Sequence, residues 1–129
     1  MYIVDSSVWI ALFLDDDTQH LKAADVIGSI GDATIHIPYG VILETSTVLV
    51  RKQSKALANK FVEYIRDNPR ITVSMSFASE DMRIFLHEPD QLAFVDAMLK
   101  ESALQTGYAL VSFDKKLLSS LKQTKNRSH

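Results

Sequence analysis

Tyr2-Ile3-Val4-Asp5-Ser6-Ser7-Val8-Trp9-Ile10 lies at the start of the chain, and its reading decides the fold. Tyr2, Ile3 and Val4 form an apolar run of residues that suit a pleated strand, so residues 2–4 are predicted to be one. Asp5, Ser6 and Ser7 are three helix-capping residues in a row. Val8 to Leu14 then reads as a helix. A strand running straight into a capped helix is the building unit of parallel sheets.

The same alternation recurs along the chain. Asp15-Asp16-Asp17-Thr18 is a charged turn, and His20 to Ser29 is predicted to be a helix with Leu21, Ala24 and Ile27 on one face. Gly28, Gly31 and Asp32 mark a break before a strand over Thr34 to Ile37, stopped by Pro38. Helices are predicted over Gly40 to Arg51 and Lys55 to Asp67, then a strand over Ile71 to Val73. Further helices follow over Ser79 to His87 and Leu92 to Leu104, with Gly107 as C-cap. Tyr108 to Phe113 is predicted to be the last strand and Asp114 to Leu121 the last helix. These readings give one α/β domain over residues 1–121, a short, mostly parallel sheet with helices on both faces, and a polar, basic tail over residues 122–129 that frays.

The totals fit a soluble globular domain: 129 residues, 47% hydrophobic and 23% charged. There is no cysteine, so disulfides, thiolate metal sites and cysteine nucleophiles are excluded, which suits a reducing cytoplasm. A formal net charge of -2 lacks the basic excess of many nucleic-acid binders, but permits an acidic site beside a local basic surface. The longest apolar run, Val8 to Leu14, is too short to span a bilayer, and the N-terminus lacks the features of a signal peptide.

Chemistry is expected from four acids. Asp5 and Asp114 each lie just past the C-terminal end of a predicted strand, where open parallel sheets bind ligands. Each also precedes a helix, so an ordinary N-cap role competes. Asp96 sits among Leu92, Val95, Leu99 and Ala103 on a helix that is apolar nearly all round. A buried carboxylate there requires a partner or a metal; the competing reading is a salt bridge to Lys100 at i+4. Glu44 has Val41 and Val48 on its helix face and repeats the pattern more weakly. Four converging carboxylates repel one another, and a hard cation such as Mg²⁺ or Mn²⁺ relieves that repulsion. The chemistry that follows is phosphodiester hydrolysis.

These segments resemble those of PIN-domain proteins. Ile3-Val4-Asp5-Ser6-Ser7-Val8-Trp9-Ile10 is similar to their opening strand, and Pro38-Tyr39-Gly40-Val41-Ile42-Leu43-Glu44 to their second acidic segment. Phe94-Val95-Asp96-Ala97-Met98-Leu99 and Leu110-Val111-Ser112-Phe113-Asp114-Lys115-Lys116-Leu117 resemble the third and fourth. The resemblance covers nearly the whole chain. It implies an Mg²⁺- or Mn²⁺-dependent endoribonuclease with Asp5, Glu44, Asp96 and Asp114 around the metal. Ser6 and Ser112 would assist by hydrogen bonding to a ligand or a metal-bound water. It further implies a VapC-like toxin of a type II toxin–antitoxin pair, a homodimer blocked by a small antitoxin. Some members carry another acid shortly after the last aspartate, where this chain has Lys116 and Leu117, so the resemblance leaves open whether one metal ion or two would bind.

Arg51, Lys52 and Lys55 after Glu44, and Lys115 and Lys116 after Asp114, are candidates for holding RNA phosphates. The competing reading is solvated helix ends. His20, His36, His87 and His129 show no metal-ligand spacing and are read as structural or exposed. Trp9 and Phe13, at i and i+4, are read as core or as a partner groove. The alternative to an enzyme is a non-catalytic PIN-like module that binds protein. A phosphoryl-accepting domain fits poorly, because a haloacid-type phosphatase wants an aspartate where Ser7 stands.

Overall fold

The computed structural model describes residues 1–127. Its strands are β1 (Tyr2–Val4), β2 (Ile35–Pro38), β3 (Ile71–Ser74) and β4 (Ala109–Val111). They form one sheet in the order β3-β2-β1-β4, and every pairing is parallel. The central strand is the apolar one read from the opening sequence, with Ile3 and Val4 essentially inaccessible to solvent.

The helices are α1 (Ser6–Phe13), α2 (His20–Ile30), α3 (Tyr39–Lys52), α4 (Lys55–Asp67), α5 (Ala78–His87), α6 (Phe94–Thr106) and α7 (Lys115–Arg127). From β1 to β2 to β3 the chain steps along the sheet in one direction. It then returns past β1 to reach β4 on the other side. Parallel crossovers are right-handed, so the first four helices cover one face and α5 and α6 the other. The direction of winding reverses between β1 and β4. The crevice past the C-terminal ends of those two strands is therefore the place where such sheets bind ligands.

The core of the first face is aromatic. Trp9 is fully buried, with ring centroids 6.0 Å from both Phe61 and Tyr64, and its Nε1 donates to the Val4 carbonyl at 3.1 Å. Phe13 meets Phe61 edge-on at 5.4 Å. Trp9 and Phe13 therefore belong to the core and not to a partner groove. The two helix layers meet where α3 begins: a Cβ added at Gly40 would lie 3.5 Å from Val95 Cγ2 of α6.

Most boundaries shift by a residue or two, Pro38 closes β2 from within, and four of the shifts have a clear cause. Helix α1 starts at Ser6 because Asp5 acts as its cap, accepting from the Ser6 backbone N–H at 2.7 Å. Helix α6 starts at Phe94, because the Leu92 N–H is turned back onto the Asp90 carbonyl at 2.9 Å. Strand β4 is shorter than Tyr108 to Phe113, since its partner β1 has only three residues to pair with. Helix α7 runs on to Arg127, so most of the tail expected to fray is helical. No glycine or proline interrupts residues 122–127, and Lys125 and Arg127 suit the negative end of the helix dipole. Ser128 and His129 lie outside the described residues.

Candidate active site

Asp5 and Asp114 are brought together by strand register. Tyr2, Ile3 and Val4 stand opposite Ala109, Leu110 and Val111, and the Asp5 N–H continues the ladder onto the Val111 carbonyl at 2.9 Å. Beyond that point the two chains diverge. The next amide groups need new partners, since buried backbone donors are rarely left unpaired. Serine hydroxyls supply them: Phe113 N–H donates to Ser7 Oγ at 3.0 Å and Asp114 N–H to Ser112 Oγ at 2.9 Å.

Asp5 is 2% exposed and is the most enclosed of the four acids. Its Oδ1 accepts from the Ser6 N–H and lies 3.3 Å from Ser6 Oγ, which also donates to Glu44 Oε1. Its Oδ2 accepts from Ser112 Oγ at 2.7 Å and from Ser7 Oγ at 3.0 Å. Asp114 caps α7, accepting the Lys116 and Leu117 N–H groups at 3.0 and 3.1 Å through Oδ1. Both aspartates thus act as helix caps, and capping does not take up every oxygen of either carboxylate. Asp114 keeps its second oxygen outside those capping bonds.

Asp96, in the first turn of α6, completes the group from the opposite helix layer. Its carboxyl is pushed up to about 6, first by burial and then by the negative charges of Asp5, Asp114 and Glu44. The four predicted acids therefore face one another electrostatically. Among the described residues, no lysine, arginine or histidine forms an ion pair with any of them. The i+4 partner expected for Asp96 is engaged elsewhere: Lys100 Nζ lies 2.7 Å from Glu88 Oε1 and 3.5 Å from Asp90 Oδ2.

The donor set fits a hard divalent cation. It consists of carboxylate oxygens, it carries uncompensated negative charge, and it includes a carboxyl whose charged form is disfavoured by burial and then by its neighbours. The acids stand within electrostatic range without being drawn into one coordination sphere. Among the described residues, no group of three or more histidine, aspartate or glutamate side chains is already arranged to hold an ion.

Ser6 and Ser112 stand beside the acids, where Ser6 Oγ donates to Glu44 and Ser112 Oγ to Asp5. Ser7 was not singled out by sequence, yet it holds both Asp5 and the loop before α7. Nothing in Asp5-Ser6-Ser7 distinguishes the two hydroxyls until the helix start at Ser6 assigns them opposite directions. The histidines take no part. His20 and His87 bond through Nδ1 to the backbone carbonyls of Ala11 and Arg83, and His36 packs on Tyr108; His129 lies outside the described residues.

The basic candidates divide. Arg51 and Lys52 are exposed in the last turn of α3, where cations complement the helix dipole. Lys115 and Lys116 are exposed in the first turn of α7, where the dipole disfavours them, so helix stability does not account for them. A groove of about 780 Å³ runs between α3, α5 and α6, lined by Tyr39, Leu43, Val95 and Met98 among others. Glu44 and Arg51 lie along it; Asp5, Asp96 and Asp114 do not line it.

The fold is similar to known structures. VapC20 of Mycobacterium tuberculosis, a sarcin-ricin loop cleaving toxin, superposes with a TM-score of 0.82 at 23% identity, covering 93% of this chain and 95% of that one. PAE2754 of Pyrobaculum aerophilum superposes with a TM-score of 0.64 at 22% identity, covering 98% of this chain and 93% of that one. No curated protein sequence matches the chain. The PIN domain family model matches residues 2–122, which takes in all four acidic segments and every strand, and the chain therefore belongs to the PIN domain family.

Proposed function

We propose that this PIN domain is a metal-dependent endoribonuclease, with Asp5, Glu44, Asp96 and Asp114 holding Mg²⁺ or Mn²⁺. The observation that carries the reading is the placement of Asp96, half-buried and facing the charges of Asp5, Asp114 and Glu44, with no ion-paired cation among the described residues to relieve it. A divalent ion bound there would supply an activated water and neutralise charge on the phosphodiester under attack. The chain's own residues orient the site. Ser6 holds Glu44, and Ser112 holds Asp5 while bonding the Asp114 backbone. We read Lys115 and Lys116, with Arg51 and Lys52, as the cations that would meet RNA phosphates.

We also read the chain as the toxin of a toxin–antitoxin pair, acting in the cytoplasm as a homodimer that a small antitoxin blocks. The likeness to a sarcin-ricin loop cleaving toxin supports ribosomal RNA as the first substrate to test. Helix α5 buries none of its residues, and Met75, Phe77 and Leu86 leave a large apolar surface in water, which supports an interface with a protein partner. Among the described residues no helix is long and apolar enough to cross a membrane.

The test is cleavage of a panel of RNAs that includes a sarcin–ricin hairpin, with Mg²⁺ or Mn²⁺ and again with EDTA. Metal-dependent cutting, lost in Asp5→Asn, is the expected result. Cleavage that persists in EDTA, or in Asp5→Asn, would overturn the assignment. A folded, dimeric chain that binds no metal and cuts no RNA would favour the non-catalytic protein-binding alternative.

A further inference from the structure

Two peptide N–H groups just past β4 reach the same carboxylate oxygen through two hydroxyls. Phe113 N–H donates to Ser7 Oγ at 3.0 Å, and Ser7 Oγ donates to Asp5 Oδ2 at 3.0 Å. Asp114 N–H donates to Ser112 Oγ at 2.9 Å, and Ser112 Oγ donates to Asp5 Oδ2 at 2.7 Å. The two hydroxyl oxygens stand 3.4 Å apart, side by side across the gap where β1 and β4 separate. Each hydroxyl accepts from a backbone N–H while donating to the carboxylate, an alignment in which each bond polarises the next.

We propose that Ser7 is a positioning residue for the acid pocket, its one hydroxyl locking Asp5 to the loop that carries Asp114. The proposal rests on the metal-centre reading above and assigns the pocket a fixed spacing at its β1–β4 side. Backbone pairing ends at Asp5 N–H and Val111, so without Ser7 the Phe113 N–H loses its partner and one side of the strand-end bridge is gone. The position requires a single atom that donates and accepts together. Threonine meets that requirement; alanine and valine do not. Hydrogen bonds to ligating carboxylates set metal affinity, and removing such partners typically weakens affinity or activity by about 10- to 100-fold.

The experiment compares Ser7→Ala, Ser7→Thr and Ser7→Val with the wild-type chain. Three readouts are taken: Mn²⁺ affinity by calorimetry, single-turnover RNA cleavage, and hydrogen exchange at the Phe113 amide. Ser7→Ala and Ser7→Val are expected to weaken Mn²⁺ binding about 10- to 100-fold and to lower kcat while KM for RNA stays within about twofold. Their Phe113 amide should exchange faster, with neighbouring β1 amides unchanged. Ser7→Thr should keep wild-type values. Valine and threonine have nearly the same shape, so this pair decides the matter if the alanine variant folds poorly. Equal Mn²⁺ affinity in Ser7→Val and Ser7→Thr, with wild-type binding intact, overturns the role of Ser7 and leaves the nuclease reading standing. A wild-type chain that neither binds Mn²⁺ nor cuts RNA overturns both.

Discussion

Asp96 and Lys100 lie four residues apart on α6, the spacing at which helical side chains of opposite charge pair with each other. They do not pair. Lys100 is 3% exposed and turns to Glu88 and Asp90, while Ser120 Oγ donates to Asp90 Oδ2 at 2.5 Å. The Asp90 carboxyl is held below its usual range, first by that Ser120 bond and then, against some desolvation, by the Lys100 charge. One turn earlier Asp96 faces three further acids, and its carboxyl is raised. The helix thus carries a neutralised charge cluster and an uncompensated one side by side. Charge that a protein buries for structure is paired within the chain. Charge left facing its own kind is what the proposed metal centre would need.

Each side of this contrast can be broken separately. The largest effect is expected at Lys100. Lys100→Met leaves Glu88 buried without its cation and should cost about 3–5 kcal/mol, read from urea unfolding. The double variant Lys100→Met, Glu88→Leu should recover most of that loss. A single variant as stable as wild type would remove the structural half of the comparison. The next effect belongs to Asp96→Asn, which should lower RNA cleavage more than about 100-fold while the chain stays folded, because on the proposed reading Asp96 is a direct ligand, and a ligand matters more than a supporting partner. Wild-type cleavage rates in that variant would remove the functional half.

The third effect is on pH dependence in the absence of metal. Asp96 titrates near 6 in the folded chain against an ordinary 3.8, so between those values the native state holds the extra proton. Stability must then fall as pH rises from about 4 through 6 and stay lower above it. The loss attributable to Asp96 is about 2 kcal/mol for this half-buried group. Thermal melts at pH 4.5 and 7.5, compared between wild type and Asp96→Asn, should differ by that amount, and Mn²⁺ should abolish the difference. Parallel pH curves for the two proteins would refute the crowding of the acids. The smallest effect is expected at the rim: Lys115→Ala should weaken RNA binding about threefold and reduce its salt dependence by roughly one ion. An unchanged salt slope would return that lysine to an ordinary solvated surface.

The acids were legible because each interrupts a pattern. Asp5 and Asp114 end apolar strand runs, and Asp96 and Glu44 break apolar helix faces. The strand order was legible only in part. Alternation of strands and helices implies parallel pairing, but nothing local says that β4 returns to lie beside β1. Lys100 was beyond reach, because its partners come from the irregular segment before α6 and the spacing rule pointed to Asp96. Ser7 escaped notice for a related reason. Its role depends on amide groups more than a hundred residues away, which need a partner only because β1 stops after three residues.

The return of β4 to the side of β1 also governs when the pocket comes into being. Its first acid, Asp5, and its last, Asp114, stand 109 residues apart in the sequence. At ordinary elongation rates the two are separated by roughly 5–20 s of synthesis. Throughout that interval the nascent polypeptide has Asp5 without the strand that sets Asp114 beside it. The pocket is thereby kept unassembled until the strand and loop that carry Asp114 have been made.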